Sequence, residues 1–169
     1  MKNDVKLSVF LIAFTILQSC GFHLRGSHQS ETLNNLSPIL LKGITRKSDF
    51  YDVAIRRLRS AKIDITHDKT AATAILTITK YRFRQQILTV DRKNKAAEYE
   101  VRLSLHFQFQ QDQSIVKDTF FITRTYLSSG TDVLGKGFER QDIRKAMFDD
   151  ALTQVLNRIA GEMAHKKIK

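Results

Sequence analysis

A chain of 169 residues with 28 Lys and Arg against 17 Asp and Glu, one proline, seven glycines, one cysteine and 42% hydrophobic residues is sized and composed for a single folded domain. This composition excludes a disordered or low-complexity stalk, and a lone cysteine excludes both an internal disulfide and a cysteine-based zinc site. The formal net charge of +11 directs attention to nucleic acid, an anionic membrane or an anionic ligand, with charge kept only for solubility as the plain alternative.

In chain order, Lys2 and Lys6 precede an apolar run from Leu7 to Leu17, which is followed by small Ser19 and then Cys20. Charge, apolar stretch and small residue make a secretory signal. At roughly 1.5 Å per residue the run reaches only about half of a hydrocarbon core near 30 Å thick, so a removable leader is expected rather than a transmembrane helix. A leucine three places before Cys20 resembles a lipobox, in which the cysteine sulfur is acylated before cleavage. The alternative is an ordinary signal followed by a buried thiol. The expected division is a leader over 1–19, a lipidated segment over 20–36, one domain over 37–165 and a basic tail over 166–169. Loss of 1–19 leaves 26 positive against 16 negative residues, a net +10. Export makes nucleic acid the poorest of the three anionic partners.

Ile39, Leu40 and Leu41, between Pro38 and Gly43, predict a short buried strand. Ser48 is an N-cap candidate. Behind it Tyr51, Ala54, Ile55, Leu58 and Ala61 recur at helical spacing, with Arg56, Arg57 and Arg59 off that stripe, so an amphipathic helix ending near Lys62 is expected. From Ala72 to Val90 the β-branched content rises, predicting a long strand bent near Gln85. Between Glu98 and Gln110 the alternation is unbroken: Tyr99, Val101, Leu103, Leu105, Phe107 and Phe109 on one face, Glu100, Arg102, His106 and Gln108 among those on the other. Gln111-Asp112-Gln113 predicts a turn, and Val116 to Leu127 a further strand, completing an antiparallel meander. Ile143, Met147, Ala151, Val155 and Ile159, widened by Phe148, Leu152 and Leu156, predict a final helix. The expected architecture is α+β, a two-layer sandwich with two helices on one face of a mixed four-stranded sheet in the order β-α-β-β-β-α.

Chemistry at a catalytic centre is not indicated. The five histidines show no pair at metal-ligand spacing, and neither a Gly-rich phosphate loop nor a Gly-x-Ser-x-Gly elbow occurs. Adjacent Asp149 and Asp150 point about 100° apart on a helix and read as surface charges. No catalytic residue, metal or cofactor is expected beyond a covalent lipid on Cys20. The hairpin connection holds Arg92, Lys93 and Lys95 at an exposed tip, suited to a phosphate group.

The segment Cys20-Gly21-Phe22-His23-Leu24-Arg25 resembles the mature start of the LptE family of lipopolysaccharide-assembly lipoproteins. The resemblance continues at Ala97-Glu98-Tyr99, at Phe121 to Thr125, and at Ile143, Lys145, Met147, Phe148 and Asp149. It implies an outer-membrane lipoprotein, tethered by acylated Cys20, that plugs the lumen of the β-barrel LptD, binds lipopolysaccharide and takes no part in nucleic-acid binding. Gly21 after the cysteine agrees with outer-membrane sorting. The resemblance also implies lipopolysaccharide contacts at Arg92, seven positions ahead of Tyr99, and at Lys136, in the loop before the last helix. Polar positions Glu100, Arg102 and Gln108 become candidates for contact with the barrel wall. A structural lipoprotein that binds a barrel or another envelope partner without binding lipopolysaccharide is the open alternative.

Overall fold

The computed structural model describes Leu33, residues 35–92, 95–127 and 133–167, with backbone alone for 133–138 and 166–167. The leader, Cys20 and the family-like opening lie outside the described residues, as does Lys93.

The chain begins its fold with strand β1, Ile39–Lys42, and helix α1, Asp49–Ser60. Ser48 caps α1 as expected: its backbone is extended, at φ −95° and ψ 147°, and its hydroxyl accepts from the Tyr51 N–H at 3.2 Å. The helix ends in a Schellman motif. The Lys62 N–H bonds the Arg59 carbonyl at 2.9 Å, the Ile63 N–H bonds the Leu58 carbonyl at 3.0 Å, and Lys62 takes φ 58°. Ile63 and Leu58 are both buried, so the motif also seals its own apolar contact. The buried stripe of α1 is Val53, Ala54 and Leu58, with Phe50 packed beside it. Tyr51 and Ile55 lie at its flank, so the stripe is rotated from the expected one toward the neighbouring sheet.

Strand β2, Ile65–Thr66, follows, then β3, Ala74–Val90, β4, Ala96–Gln111, and β5, Ser114–Leu127. The sheet order is β2-β1-β3-β4-β5, parallel around β1 and antiparallel from β3 onward. The sheet is therefore mixed, as expected, but has five strands rather than four. Two residues are too short to carry an alternation, and β2 exists only because β1 offers it a free edge.

Strand β3 contains a change of phase that decides which residues reach the core. Leu76 pairs with Phe109 and Ile78 with Phe107, whereas Lys80 pairs with His106 and Tyr81 with Leu105. Thr79 is the extra residue of a β-bulge. Before it the even positions Ala74, Leu76 and Ile78 are buried, and after it the odd positions Tyr81 and Phe83 pack against the core. A second shift falls at Leu88, whereas the register runs unbroken through Gln85, opposite Val101, so the irregularities lie on either side of the position where a bend was expected. In β4 the predicted register holds, with Val101, Leu103, Leu105, Phe107 and Phe109 each no more than 2% exposed.

Helix α2, Val133–Lys167, covers this face. Met147, Phe148, Ala151, Leu152, Val155, Leu156 and Ile159 are buried, as the period-four pattern predicts. The helix starts ten residues before Ile143 and takes in Lys136, which had been expected in the preceding loop. Gly135 and Gly137, poor helix formers, hide that start from a reading of the sequence. Leu33 and Leu36 also enter the core, extending it ahead of residue 37. Both helices lie on one face of the sheet, leaving the other face of β3, β4 and β5 uncovered by the described elements.

Candidate functional site

Among the described residues, two gatherings of cations bear on function. At the hairpin tip, Asp91 and Lys95 close the connection: the Asp91 N–H bonds the Lys95 carbonyl at 2.7 Å, and the Lys95 N–H bonds Asp91 Oδ1 at 2.9 Å. This holds the backbone while the side chains of Arg92 and Lys95 stand exposed. Register places the end of β5 at the same end of the sheet, since Leu127 pairs with Glu98 and Val90 with Ala96. Helix α2 begins six residues after Leu127, a span of at most about 20 Å of chain. The fold thus returns the start of α2, with Lys136 in it, toward the end that carries Arg92 and Lys95.

The second gathering is on the uncovered sheet face. There the cross-strand rows are Thr77, Gln108 and Lys117; Lys80, His106 and Thr119; Arg82, Ser104 and Phe121; and Arg84, Arg102 and Thr123. These four rows contain no carboxylate. Their middle is hollowed into a cavity of about 380 Å³ lined by Lys80, Arg82, Arg84, Arg102, His106 and Phe121, among others. His106 Nδ1 and the Thr119 hydroxyl lie 2.8 Å apart, an ordinary paired imidazole on the polar face. Phe121 is 74% exposed. Lys80, Arg82 and Arg84 went unread in the sequence because the apolar phase changes at Thr79; their alternation with Tyr81 and Phe83 is the signal that marks them.

The three barrel-contact candidates all stand on this face, but differently. The Arg102 side chain is 60% exposed, while that of Glu100 is 12% exposed, paired with Arg102 and accepting from Gln86 Nε2 at 2.9 Å. Gln108 is half-buried.

On the helix side, several ion pairs join one element to another. Arg57 grips Asp149 through two nitrogens, Nε at 3.0 Å from Oδ1, tying α1 to α2, and this partner holds the Arg57 guanidinium above its usual range. Arg124 reaches Asp150, and Arg158 meets Asp118 at 3.2 Å, tying α2 to β5. The adjacent aspartates are thus surface charges, as expected, each turned to a different arginine. At the start of α1, a hydrogen bond from Lys145 and then one from Gln141 hold the Asp49 carboxyl below the usual range. Among the described residues, no group of three or more His, Cys, Asp or Glu is arranged to hold a metal ion. No helix among them is long and apolar enough to cross a membrane.

An α+β domain whose cations collect at one hairpin and across one uncovered sheet face, while several aspartates tie its elements together, has the make-up of a binding or assembly protein. A family model described as LptE: Lipopolysaccharide-assembly matches residues 41–159, and the chain belongs to this family. The LPS-assembly lipoprotein LptE of Photorhabdus laumondii is 24% identical over 94% of this chain and 87% of its own length. Its counterpart from Yersinia enterocolitica is 26% identical, over 94% of this chain and 77% of that protein. Among solved structures, rare lipoprotein B from Shewanella oneidensis superposes with a TM-score of 0.59 at 20% identity, covering 78% of this chain and 97% of that one. Lipoprotein B from Nitrosomonas europaea gives 0.61 at 17% identity, covering 85% and 93%. The fold and the family expected from the sequence are those found. The family's work is assembly of lipopolysaccharide and not enzymatic conversion.

Proposed function

We propose that this chain is the lipid-anchored, outer-membrane subunit of the lipopolysaccharide translocon, a plug in the lumen of the β-barrel LptD that binds lipopolysaccharide and assists both its placement in the outer leaflet and the assembly of the barrel. The family match over 41–159 is the observation that carries this reading. Acylation at Cys20 anchors the domain from the periplasmic side. Several acyl chains hold it far more firmly than one, at roughly 0.8 kcal/mol per buried methylene.

Arg92, Lys93, Lys95 and Lys136 bind lipid A phosphates or inner-core acids, replacing the divalent ions that bridge neighbouring molecules and so separating them for insertion. The return of α2 toward the hairpin end supports placing Lys136 in one site with the tip. Glu100, Arg102 and Gln108 face the barrel wall from the polar side of β4. Extraction of the chain in mild detergent is expected to bring down a stoichiometric large β-barrel, and mass spectrometry of the mature N-terminus a triacylated Cys20. Arg92→Asp with Lys136→Asp is expected to weaken binding of purified lipopolysaccharide by at least tenfold; unchanged binding removes the tip as its site. Barrel co-purification without any lipopolysaccharide binding by the unaltered chain leaves a structural lipoprotein instead.

A further inference from the structure

We infer that the hollow on the uncovered sheet face is a second binding site, for the phosphate groups of an anionic lipid, separate from the hairpin tip. Along β3, Lys80, Arg82 and Arg84 project to this face at every second residue, about 7 Å apart. Among the described residues none of the three has an acidic partner. Four cations elsewhere, Arg57, Arg124, Lys145 and Arg158, each reach an aspartate across elements. The contrast is sharpest at Arg84 and Arg102, which stand directly opposite each other on neighbouring strands. Like charges in that position destabilise a sheet. Glu100 pairs with Arg102, and Arg84 has no carboxylate partner of its own among the described residues. A local conflict retained in an otherwise consistent sheet marks a place where an external group supplies the missing charge.

Phe121 says what kind of molecule carries that charge. It is on β5 in the same row as Arg82 and Ser104, and it is 74% exposed, with Leu127 at 72% and Ile115 at 55% further along the same strand and face. Cations on β3 and an apolar rail on β5, about two strand spacings or roughly 10 Å away, match an amphiphile with its phosphate over β3 and its hydrocarbon over β5. Arginine pairs suit phosphate oxygens through parallel hydrogen bonds, and the Ser104 and Thr123 hydroxyls beside them add donors. A cavity of about 380 Å³ lies within the size range of small-ligand sites. A protein wall is the poorer occupant. A barrel wall seen from its lumen is itself concave, so it meets a hollowed face at its edges, as at Gln108 outside the lining, and leaves the centre open. The site therefore coexists with the plug, and it rests on the proposed function only in taking its lipid to be lipopolysaccharide.

The test measures binding of the purified, acylated mature chain to lipopolysaccharide, to dephosphorylated lipopolysaccharide and to inorganic phosphate. Lys80→Gln, Arg82→Gln and Arg84→Gln combined change only exposed side chains, and far-ultraviolet circular dichroism confirms the fold. Added to Arg92→Asp with Lys136→Asp, so that only the face is left to bind, the triple change is expected at about fivefold per cation to weaken lipopolysaccharide about a hundredfold, and the difference should vanish for the dephosphorylated form. Phe121→Ser is expected to weaken lipopolysaccharide severalfold while leaving inorganic phosphate unchanged; equal loss of both shows a free-phosphate site and overturns the lipid. Unchanged lipopolysaccharide affinity on adding the triple change to the tip variant overturns the site, and doing so while barrel co-purification falls assigns the face to protein instead. If Arg92→Asp with Lys136→Asp abolishes binding and the triple variant does not, this second site fails while the proposed function stands. Failure of the unaltered chain to bind lipopolysaccharide defeats both.

Discussion

Gly43 is held by geometry rather than by any contact of its own. Its φ is +83°, and a Cβ built there lies 1.9 Å from the Ile78 carbonyl oxygen, a backbone atom that cannot swing aside. Gly43→Ala combines a left-handed conformation, costly by about 1–2 kcal/mol for an L side chain, with that collision. A loss of about 3 kcal/mol or more is expected in urea denaturation, and a loss under 1 kcal/mol would mean that β1 and β3 separate at little cost. Lys62 presents the converse case. It occupies the left-handed position of the Schellman motif, where glycine is ordinarily preferred, so Lys62→Gly should raise stability by up to about 1 kcal/mol. Asp49 titrates with a defined sign. Its folded value lies below the usual carboxylate range because Lys145 and Gln141 bind the ionised form, so its contribution is complete above about pH 4 and fades as pH falls through the depressed value. Asp49→Asn should therefore narrow its stability gap to the unaltered chain as acid is added below about pH 4, read by thermal melting across that window.

At the scale of elements, β3 and β4 answer differently to the same operation. Thr79 is already surplus to the ladder, so its deletion leaves Ile78, Lys80 and Tyr81 in simple alternation and keeps Tyr81 and Phe83 turned to the helices. Deleting Ser104 instead shifts Leu105, Phe107 and Phe109 to the open face. Each such side chain contributes about 1.5–3 kcal/mol by burial, so the loss, about 5–9 kcal/mol, is comparable to the whole stability of an ordinary domain. The Thr79 deletion is expected to fold with a modest drop in melting temperature and the Ser104 deletion to be recovered unfolded; similar behaviour of the two would contradict the bulge. The alternation of β4 was legible in the sequence because its odd side chains are apolar without exception. That of β3 was only partly legible, since a single inserted residue exchanges the meaning of odd and even halfway along.

For the whole molecule, charge distribution matters more than net charge. Asp49, Asp118, Asp149 and Asp150 pair with cations on the helix side, while four rows of the uncovered sheet face hold no carboxylate and Glu100, in the next row, pairs with Arg102. Binding of an anionic lipid should accordingly weaken steeply as ionic strength rises, because the cations of that face are exposed and screened within about 10 Å at 0.1 M salt. A photoreactive amino acid at position 108 should crosslink to the barrel, whereas one at position 82 should favour lipid; barrel adducts from 82 alone would reverse the assignment of the face. The sequence by itself determined the family, the two helices, the meander and the register of β4, all of which rest on local pattern repeated over many residues. Only tertiary structure decided that β2 exists, that Phe50 and Val53 turn inward, that Lys136 lies within a helix, and that Lys80, Arg82, Arg84 and Phe121 share one hollow. Those outcomes depend on pairing between distant segments and on one bulge, and pairing is a property of neighbours in space that no stretch of sequence carries alone.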